Sequence, residues 1–154
     1  MIFTTKAEYG VRLMVELGRQ GAESPTSLKA ISEAEGLPLA YLERIVALLK
    51  KAGLVESTRG AHGGYRLARP AADVRMDEVI LALEGHVAPM TCFVDDSDSA
   101  SGRVLCTHAA SSGHGCATKL LSMCVQGGVM EKLAQTTLAE LVAFSPRSET
   151  PVPA

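Results

Sequence analysis

The segment formed by residues 27–70 constrains the fold of this 154-residue chain more than any other part. It predicts a short helix that Ser27 caps and Gly36 ends, and then a second helix that starts at Pro38. Apolar residues three and four positions apart give this second helix one buried stripe, made of Leu42, Ile45, Val46 and Leu49. Two such helices, the second with a polar and partly basic outer face, are typical of a helix-turn-helix, whose second helix enters the DNA major groove.

Two strand-like runs follow the second helix, at residues 54–57 and 65–68, with a glycine-rich segment between them. The pattern predicts a two-stranded wing. We expect Arg59, His62 and Arg66 near its tip, because arginine can enter a narrow minor groove there. Two packed helices alone have no necessary link to DNA, but a basic wing placed directly after them favours DNA binding. On the helices, the candidate DNA-binding residues are Ser27, Tyr41, Glu43 and Arg44.

The charge of the chain is distributed unevenly between its two halves. The net charge is −2 over the whole sequence. Residues 1–70 hold ten Lys or Arg and seven Asp or Glu, whereas residues 71–154 hold five and ten. Phosphate contacts require local positive charge, so the basic N-terminal half fits a DNA-binding domain.

The remaining periodicities complete a mainly α fold with a small β wing and a long C-terminal dimerisation helix. Helices are predicted over residues 6–20, 76–83 and 137–144. A long helix from Cys116 carries an apolar stripe that we expect to pack on a second copy, with a kink or a close crossing at Gly127 and Gly128. The expected divisions are a winged helix-turn-helix domain (1–85), a cysteine-bearing loop (86–115), the dimerisation and closing helices (116–144) and a disordered tail (145–154).

No apolar run is long enough to span a bilayer, and the N-terminus lacks the apolar region of a signal peptide. We therefore expect a cytoplasmic protein without a membrane partner, in which thiols stay reduced.

Four cysteines lie in the acidic half: Cys92, Cys106, Cys116 and Cys124. No two of them have the C-x-x-C spacing of zinc ribbons or redox motifs. Thiolates are the usual ligands of iron–sulfur clusters, and a buried structural role is the alternative for any single cysteine. Cys124 would lie about 12 Å along the helix from Cys116, too far to share a small cluster with it. We therefore expect Cys124 in the core or at the dimer interface.

The chain resembles the winged-helix regulators that include the iron–sulfur cluster regulator IscR and the nitric-oxide-sensing repressor NsrR. The resemblance rests on KAEYGVR at residues 6–12, YLER at 41–44, AGLV at 52–55, GGYRLARP at 63–70 and TLAEL at 137–141. It implies a homodimer that binds a palindrome-like double-stranded operator. It also implies that Cys92, Cys106 and Cys116 hold a cluster.

Two features depart from the family pattern. The cysteines are spaced more widely, and Lys119 occupies the place where IscR-like members offer a histidine ligand. A protonated lysine has no lone pair to donate. Nitric-oxide-sensing members use an acidic residue just before the tyrosine of the first helix, so the resemblance makes Glu8 the preferred fourth ligand. His108, His114 and water remain alternatives, and a [2Fe–2S] cluster is preferred over [4Fe–4S].

The sequence thus predicts a dimeric transcriptional repressor that senses redox, iron or nitric oxide state through an iron–sulfur cluster. A cluster-free regulator that senses thiol oxidation or a small thiol through the same cysteines is the alternative. An enzyme is not expected, because C-x-x-C, a nucleotide-binding glycine loop and an acid–base pair are all missing.

Overall fold

The computed structural model describes residues 3–21, 24–60, 63–85, 87 and 117–144. In these residues the elements are α1 (Thr5–Gln20), α2 (Leu28–Glu35), α3 (Leu39–Lys51), β1 (Val55–Thr58), β2 (Gly64–Leu67), a 3₁₀ turn (Ala71–Asp73), α4 (Met76–Glu84), α5 (Ala117–Gln135) and α6 (Leu138–Phe144). A mainly helical chain with a two-stranded wing confirms the predicted fold class.

Helix α1 lies at the centre of the core, because α2, α3, α4, α6 and β2 all contact it. Glycines on α1 allow two of these helices to approach closely. A Cβ on Gly10 would overlap the Leu83 side chain of α4, and a Cβ on Gly18 would lie 2.7 Å from Val142 of α6. These two glycines therefore determine how closely α4 and α6 pack on α1.

Helices α2 and α3 form the predicted helix-turn-helix. The Ala30 N–H donates to Ser27 Oγ at 3.1 Å, which confirms the predicted N-cap. Gly36 has a φ of 63° and ends α2 in the left-handed conformation that glycine adopts without strain. The predicted stripe of α3 is buried throughout, so the charged residues of α3 lie on the outer surface.

The wing is an antiparallel pair in which Val55 lies opposite Leu67. Its strands differ from the predicted 54–57 and 65–68 by one residue. The Leu54 N–H donates to the Leu49 carbonyl at 3.0 Å to close α3, so the regular strand begins only at Val55. Tyr65 and Thr26 exchange two backbone hydrogen bonds of 2.9 Å, which attach the segment before α2 to the wing.

The closing helix α6 belongs to the same core as the winged helix. Leu138 is fully buried there. The Leu138 N–H donates to the Val74 carbonyl at 2.8 Å, and the Met76 N–H donates to the Thr136 carbonyl at 2.9 Å. Thr137 and Glu140 cap the start of α6 reciprocally.

The C-terminal half of helix α5 packs on the core. Val129, Met130 and Leu133 contact the small apolar cluster of Ala7, Ile80 and Val87. Its N-terminal half leaves four large apolar side chains exposed: Leu120, Leu121, Met123 and Val125. The apolar stripe predicted to face a partner is therefore exposed in its N-terminal part and packed on the core in its C-terminal part, because the chain must return to the core to begin α6.

None of the helices in the described part of the chain is long and apolar enough to cross a bilayer.

Candidate DNA interface and sensing residues

The outer surface of α3 presents the three residues predicted to read the major groove. Glu43 and Arg44 are exposed, and no described residue pairs with either side chain. Tyr41 is half-buried instead of fully outward, because its ring packs edge-on against Tyr9 of α1 with ring centroids 5.5 Å apart. This contact restrains the Tyr41 ring at the border between α1 and α3.

Ser27 lies at the N-terminus of α2. Its Oγ accepts the capping hydrogen bond, so the hydroxyl hydrogen is available to donate to another acceptor. The positive end of the α2 dipole points the same way and favours an anion there. The position suits a phosphate contact, which remains a prediction.

The three wing residues are placed differently from one another. Arg59 follows β1 directly and is exposed, and no partner for its guanidinium lies among the described residues. Arg66 instead lies within β2, opposite Glu56 on β1, and its Nη2 is 3.1 Å from Glu56 Oε2. Arg66 is therefore on the stem of the wing. His62 lies outside the described residues.

Two lysines missing from the predicted interface lie in α3 or beside it. Lys50 Nζ donates to Ser57 Oγ of β1 at 2.6 Å and so joins the end of α3 to the wing. Lys6 of α1 lines a cavity beside Tyr41 and Arg44. For Lys50, its positive charge was the only indication in the neighbouring sequence of a role at the interface. Nothing in the sequence near residues 5–7 indicates that Lys6 approaches α3.

Glu8 lies in the first turn of α1 and is exposed. No described residue pairs with its carboxylate, which leaves both oxygens available to a ligand. It borders a largely apolar cavity of about 650 Å³ between α1, α4, α5 and α6. The other predicted ligands, Cys92, Cys106 and Cys116, lie outside the described residues, as do His108 and His114. Within the described ranges, no three His, Cys, Asp or Glu side chains group to hold a metal ion.

Cys124 is exposed on α5. Its exposure excludes the chain's own core, one of the two places expected for it. Lys119 is exposed in the first turn of the same helix.

A polar cluster connects α1 to the end of α2. Arg12 Nε donates to Glu35 Oε2 at 3.0 Å, and the same guanidinium donates to the Glu35 carbonyl. Arg19 Nη1 lies 3.4 Å from Glu35 Oε1 and 3.0 Å from Glu16 Oε2. Because Glu35 is the last residue of α2, this cluster fixes α1 to the turn of the helix-turn-helix.

A capped helix-turn-helix with a β wing behind it, and with unpaired polar and basic residues on its outer surface, defines a winged-helix DNA-binding protein. A family model described as Rrf2, iron-dependent transcriptional regulator, matches residues 3–144. The chain therefore belongs to the Rrf2 family of DNA-binding transcriptional regulators.

Individual relatives agree with this assignment. The chain is 33% identical over 145 residues to the transcriptional regulator CymR of Bacillus subtilis, covering 94% of this chain and 92% of that protein. It is 35% identical over 142 residues to IscR of Vibrio atlanticus, covering 92% and 75%. A shorter match of 92 residues, 42% identical, covers 60% of this chain and 61% of Protein rrf2 of Nitratidesulfovibrio vulgaris.

Solved structures show the same fold. The structure described as CymR, the global cysteine regulator of B. subtilis, superposes with a TM-score of 0.74 at 33% identity, covering 95% of this chain and 99% of that chain. T. potens IscR gives a TM-score of 0.74 at 32% identity, covering 99% and 94%. The resemblance to IscR-type regulators is thus confirmed, and since the relatives are named as regulators, the chain is a regulator and not an enzyme.

Proposed function

We propose that this Rrf2 regulator is a homodimeric repressor that binds a palindromic operator, with an affinity that depends on the state of an iron–sulfur cluster. The observation that carries the DNA-binding part is that Glu43 and Arg44 on α3, and Arg59 directly after β1, are exposed and have no partner among the described residues.

Each element has its own part in reading the operator. Arg44 and Tyr41 donate to acceptors in the major groove, and Glu43 accepts from cytosine N4. Arg59, at the end of β1, enters the minor groove together with His62. Ser27 donates to a backbone phosphate and so fixes the register of α3. Arg66 supports the wing through Glu56 and reaches the backbone from the stem.

The proposed sensing ligands are Cys92, Cys106, Cys116 and Glu8. Three thiolates and one carboxylate are a donor set that suits iron, and an exposed carboxylate that pairs with no described residue supports Glu8 as the fourth ligand. When bound, the cluster supplies one-electron redox and nitric oxide chemistry. A [2Fe–2S] cluster is preferred, and [4Fe–4S] is the alternative.

The polar cluster on α1 supports a route from the sensing residues to the DNA-reading unit. Arg12 lies one turn after Glu8 on the same side of α1. The Arg12 guanidinium pairs with Glu35, which is the last residue of α2. A change at Glu8 would therefore shift α1 against the helix-turn-helix and alter the population of the conformation that binds the operator.

A cluster-free thiol sensor is the second candidate. It is favoured by the likeness to CymR, which covers 95% of this chain and 99% of that structure. The same cysteines would then act through reversible oxidation or a small thiol.

Anaerobic purification distinguishes the two candidates. The cluster proposal predicts a coloured protein that contains iron and sulfide and has visible absorption bands, which are lost in Cys106→Ala. Cys124→Ala is the matched control, because Cys124 is exposed on α5, and it should keep the bands. Glu8→Ala should keep iron but change the spectrum and the rate of cluster loss. A colourless protein without iron that still binds DNA would exclude the cluster and leave the thiol sensor.

A further inference from the structure

A cavity of about 390 Å³ opens between the start of α1 and the side of α3. Lys6 comes from α1, whereas Tyr41 and Arg44 come from α3, so three hydrogen-bond donors from two elements border one space. Ile45 and Leu48 line the rest of it. The combination of two cations and a hydroxyl suits a small anion held against an apolar wall.

The positive charge at this cavity is only partly compensated. Lys6 Nζ is 4.0 Å from Glu84 Oε2, which is beyond hydrogen-bond distance. The same carboxylate already accepts a hydrogen bond of 2.5 Å from Thr4 Oγ1. Arg44 has no partner among the described residues. An incoming anion therefore finds donors that are not already bound.

The cavity also lies on one defined edge of α3. Tyr41, Arg44 and Leu48 follow one another at intervals of three and four residues, on the edge that borders α1. The other edge borders the wing, since Lys50 there donates to Ser57 of β1. When a helix lies in the major groove, its two edges face the two sugar–phosphate strands that border the groove. The α1 edge thus meets one of these strands.

We infer that Lys6 binds one backbone phosphodiester of the operator at this cavity, with its ammonium as the donor, while Tyr41 and Arg44 border the phosphate and make their proposed hydrogen bonds to the neighbouring bases. The inference rests on the proposed use of α3 as the recognition helix. The edge-on contact with Tyr9 keeps the Tyr41 ring in the wall of the cavity, so the site is formed before DNA arrives. Lys6 contributes affinity that does not depend on sequence.

The first test is the salt dependence of binding by Lys6→Ala. Fluorescence anisotropy with an operator duplex, selected from a random pool, and with an unrelated duplex should show the same fold loss on both. The slope of log K against log salt concentration should become shallower by about 1.8, because the dimer loses one phosphate contact of about 0.9 in each half-site. Lys6→Arg should retain most of the affinity.

Lys132→Ala is the matched control, because it removes the same charge from an exposed residue in the last turn of α5. It should leave the salt slope unchanged. Lys6→Ala keeps the backbone N–H that bonds to Thr4 and loses a 4.0 Å ion pair with Glu84, so its unfolding temperature should change little. An unchanged slope for Lys6→Ala, or a loss confined to the operator duplex, would overturn the inference.

A scan with single neutral methylphosphonate linkages locates the phosphate. With the wild-type protein, one linkage in each half-site should weaken binding, and with Lys6→Ala the same linkage should have no further effect. Purely additive losses at every linkage would contradict the contact. If Glu43→Ala and Arg59→Ala weaken operator binding but Lys6→Ala does not, only this inference fails. If none of the three has an effect, the proposed function of α3 and the wing fails as well.

Discussion

At the scale of single residues, Gly64 decides whether the wing can attach to the helix-turn-helix. A Cβ built on Gly64 would lie 2.6 Å from the carbonyl carbon and oxygen of Thr26. These are backbone atoms, and Thr26 exchanges two hydrogen bonds with Tyr65, the neighbour of Gly64. The backbone therefore cannot move away from a side chain at position 64 without breaking that pairing.

Gly64→Ala is accordingly expected to lower the free energy of unfolding by about 1–3 kcal/mol, as overpacking of a tight contact does. It should also weaken operator binding, because the wing would no longer hold Arg59 in place. Thermal unfolding and anisotropy measure the two effects. Thr58→Ala is the control, since Thr58 is exposed opposite Gly64 and should change stability by no more than about 0.5 kcal/mol. Equal stability of the two variants would contradict the role given to Gly64.

At the scale of elements, Glu35 is the residue through which α1 holds α2. Its side chain is 16% exposed and lies between two arginines, with Arg12 Nε at 3.0 Å and Arg19 Nη1 at 3.4 Å. Glu35→Gln keeps the shape but removes the charge that both guanidinium groups face. Because the cluster is partly buried, the charge-assisted hydrogen bonds are screened less than those on the open surface.

The expected loss for Glu35→Gln is about 1–2 kcal/mol of the free energy of unfolding, measured by urea denaturation. Glu33→Gln gives the matched comparison on the same helix. Glu33 is 70% exposed and pairs only with Lys29 at 3.9 Å, so its loss should stay below about 0.5 kcal/mol. Should the two variants lose the same amount, the Arg12–Glu35 connection would not stabilise the junction of α1 and α2.

The elements also show which parts of the fold a sequence can predict. Ser27, Gly36 and the α3 stripe act within a few residues of themselves, so local rules were enough to predict the helix-turn-helix. The strand edges were wrong by one residue, because the Leu54 N–H completes α3. The apolar stripe of α5 was predicted to pack on a second copy, yet Val129 and Leu133 pack into the chain's own core. Periodicity alone shows that a helix face is apolar, and it cannot distinguish packing on the same chain from packing on a partner.

For the candidate site, too, local features could be predicted and long-range contacts could not. Glu43, Arg44 and Arg59 could be predicted because exposure and charge follow from the pattern of each element. Arg66 was expected near the tip, but cross-strand pairing places it on the stem beside Glu56. Lys6 was not among the predicted residues, because only the packing of α1 on α3 brings it to the same cavity as Arg44. Such long-range neighbours are properties of the tertiary structure.

At the scale of the whole molecule, the exposed N-terminal half of α5 is the surface that remains to be explained. Leu120 is 65% exposed, Leu121 57% and Met123 53%, all within two helical turns. Monomeric proteins seldom expose contiguous apolar side chains of this size. A second copy related by a two-fold axis would cover this face with itself, and the same axis would place two recognition helices on the two halves of a palindromic operator.

Leu121→Asp should therefore convert the proposed dimer to a monomer in sedimentation measurements, because each dimer would bury two new carboxylates. Leu81→Asp is the control, since Leu81 is 39% exposed on α4 and not on α5, and this variant should remain dimeric. The monomer should also lose most of its operator affinity, since two separate monomers would have to bind the two half-sites of the operator independently. A dimeric Leu121→Asp protein would show that α5 does not form the interface.

Gly128 tests how closely the two α5 helices approach one another. Among the described residues, a Cβ at Gly128 meets no atom within 4 Å, so their packing gives no reason for glycine there. If the helices cross closely at Gly127 and Gly128, as we predict, Gly128→Ala should weaken the dimer by separating them. If they do not, the same change should stabilise α5 by about 1 kcal/mol, the ordinary advantage of alanine in a helix. The dimer dissociation constant of this variant, compared with that of Leu81→Asp, thus decides whether the glycine pair serves self-association.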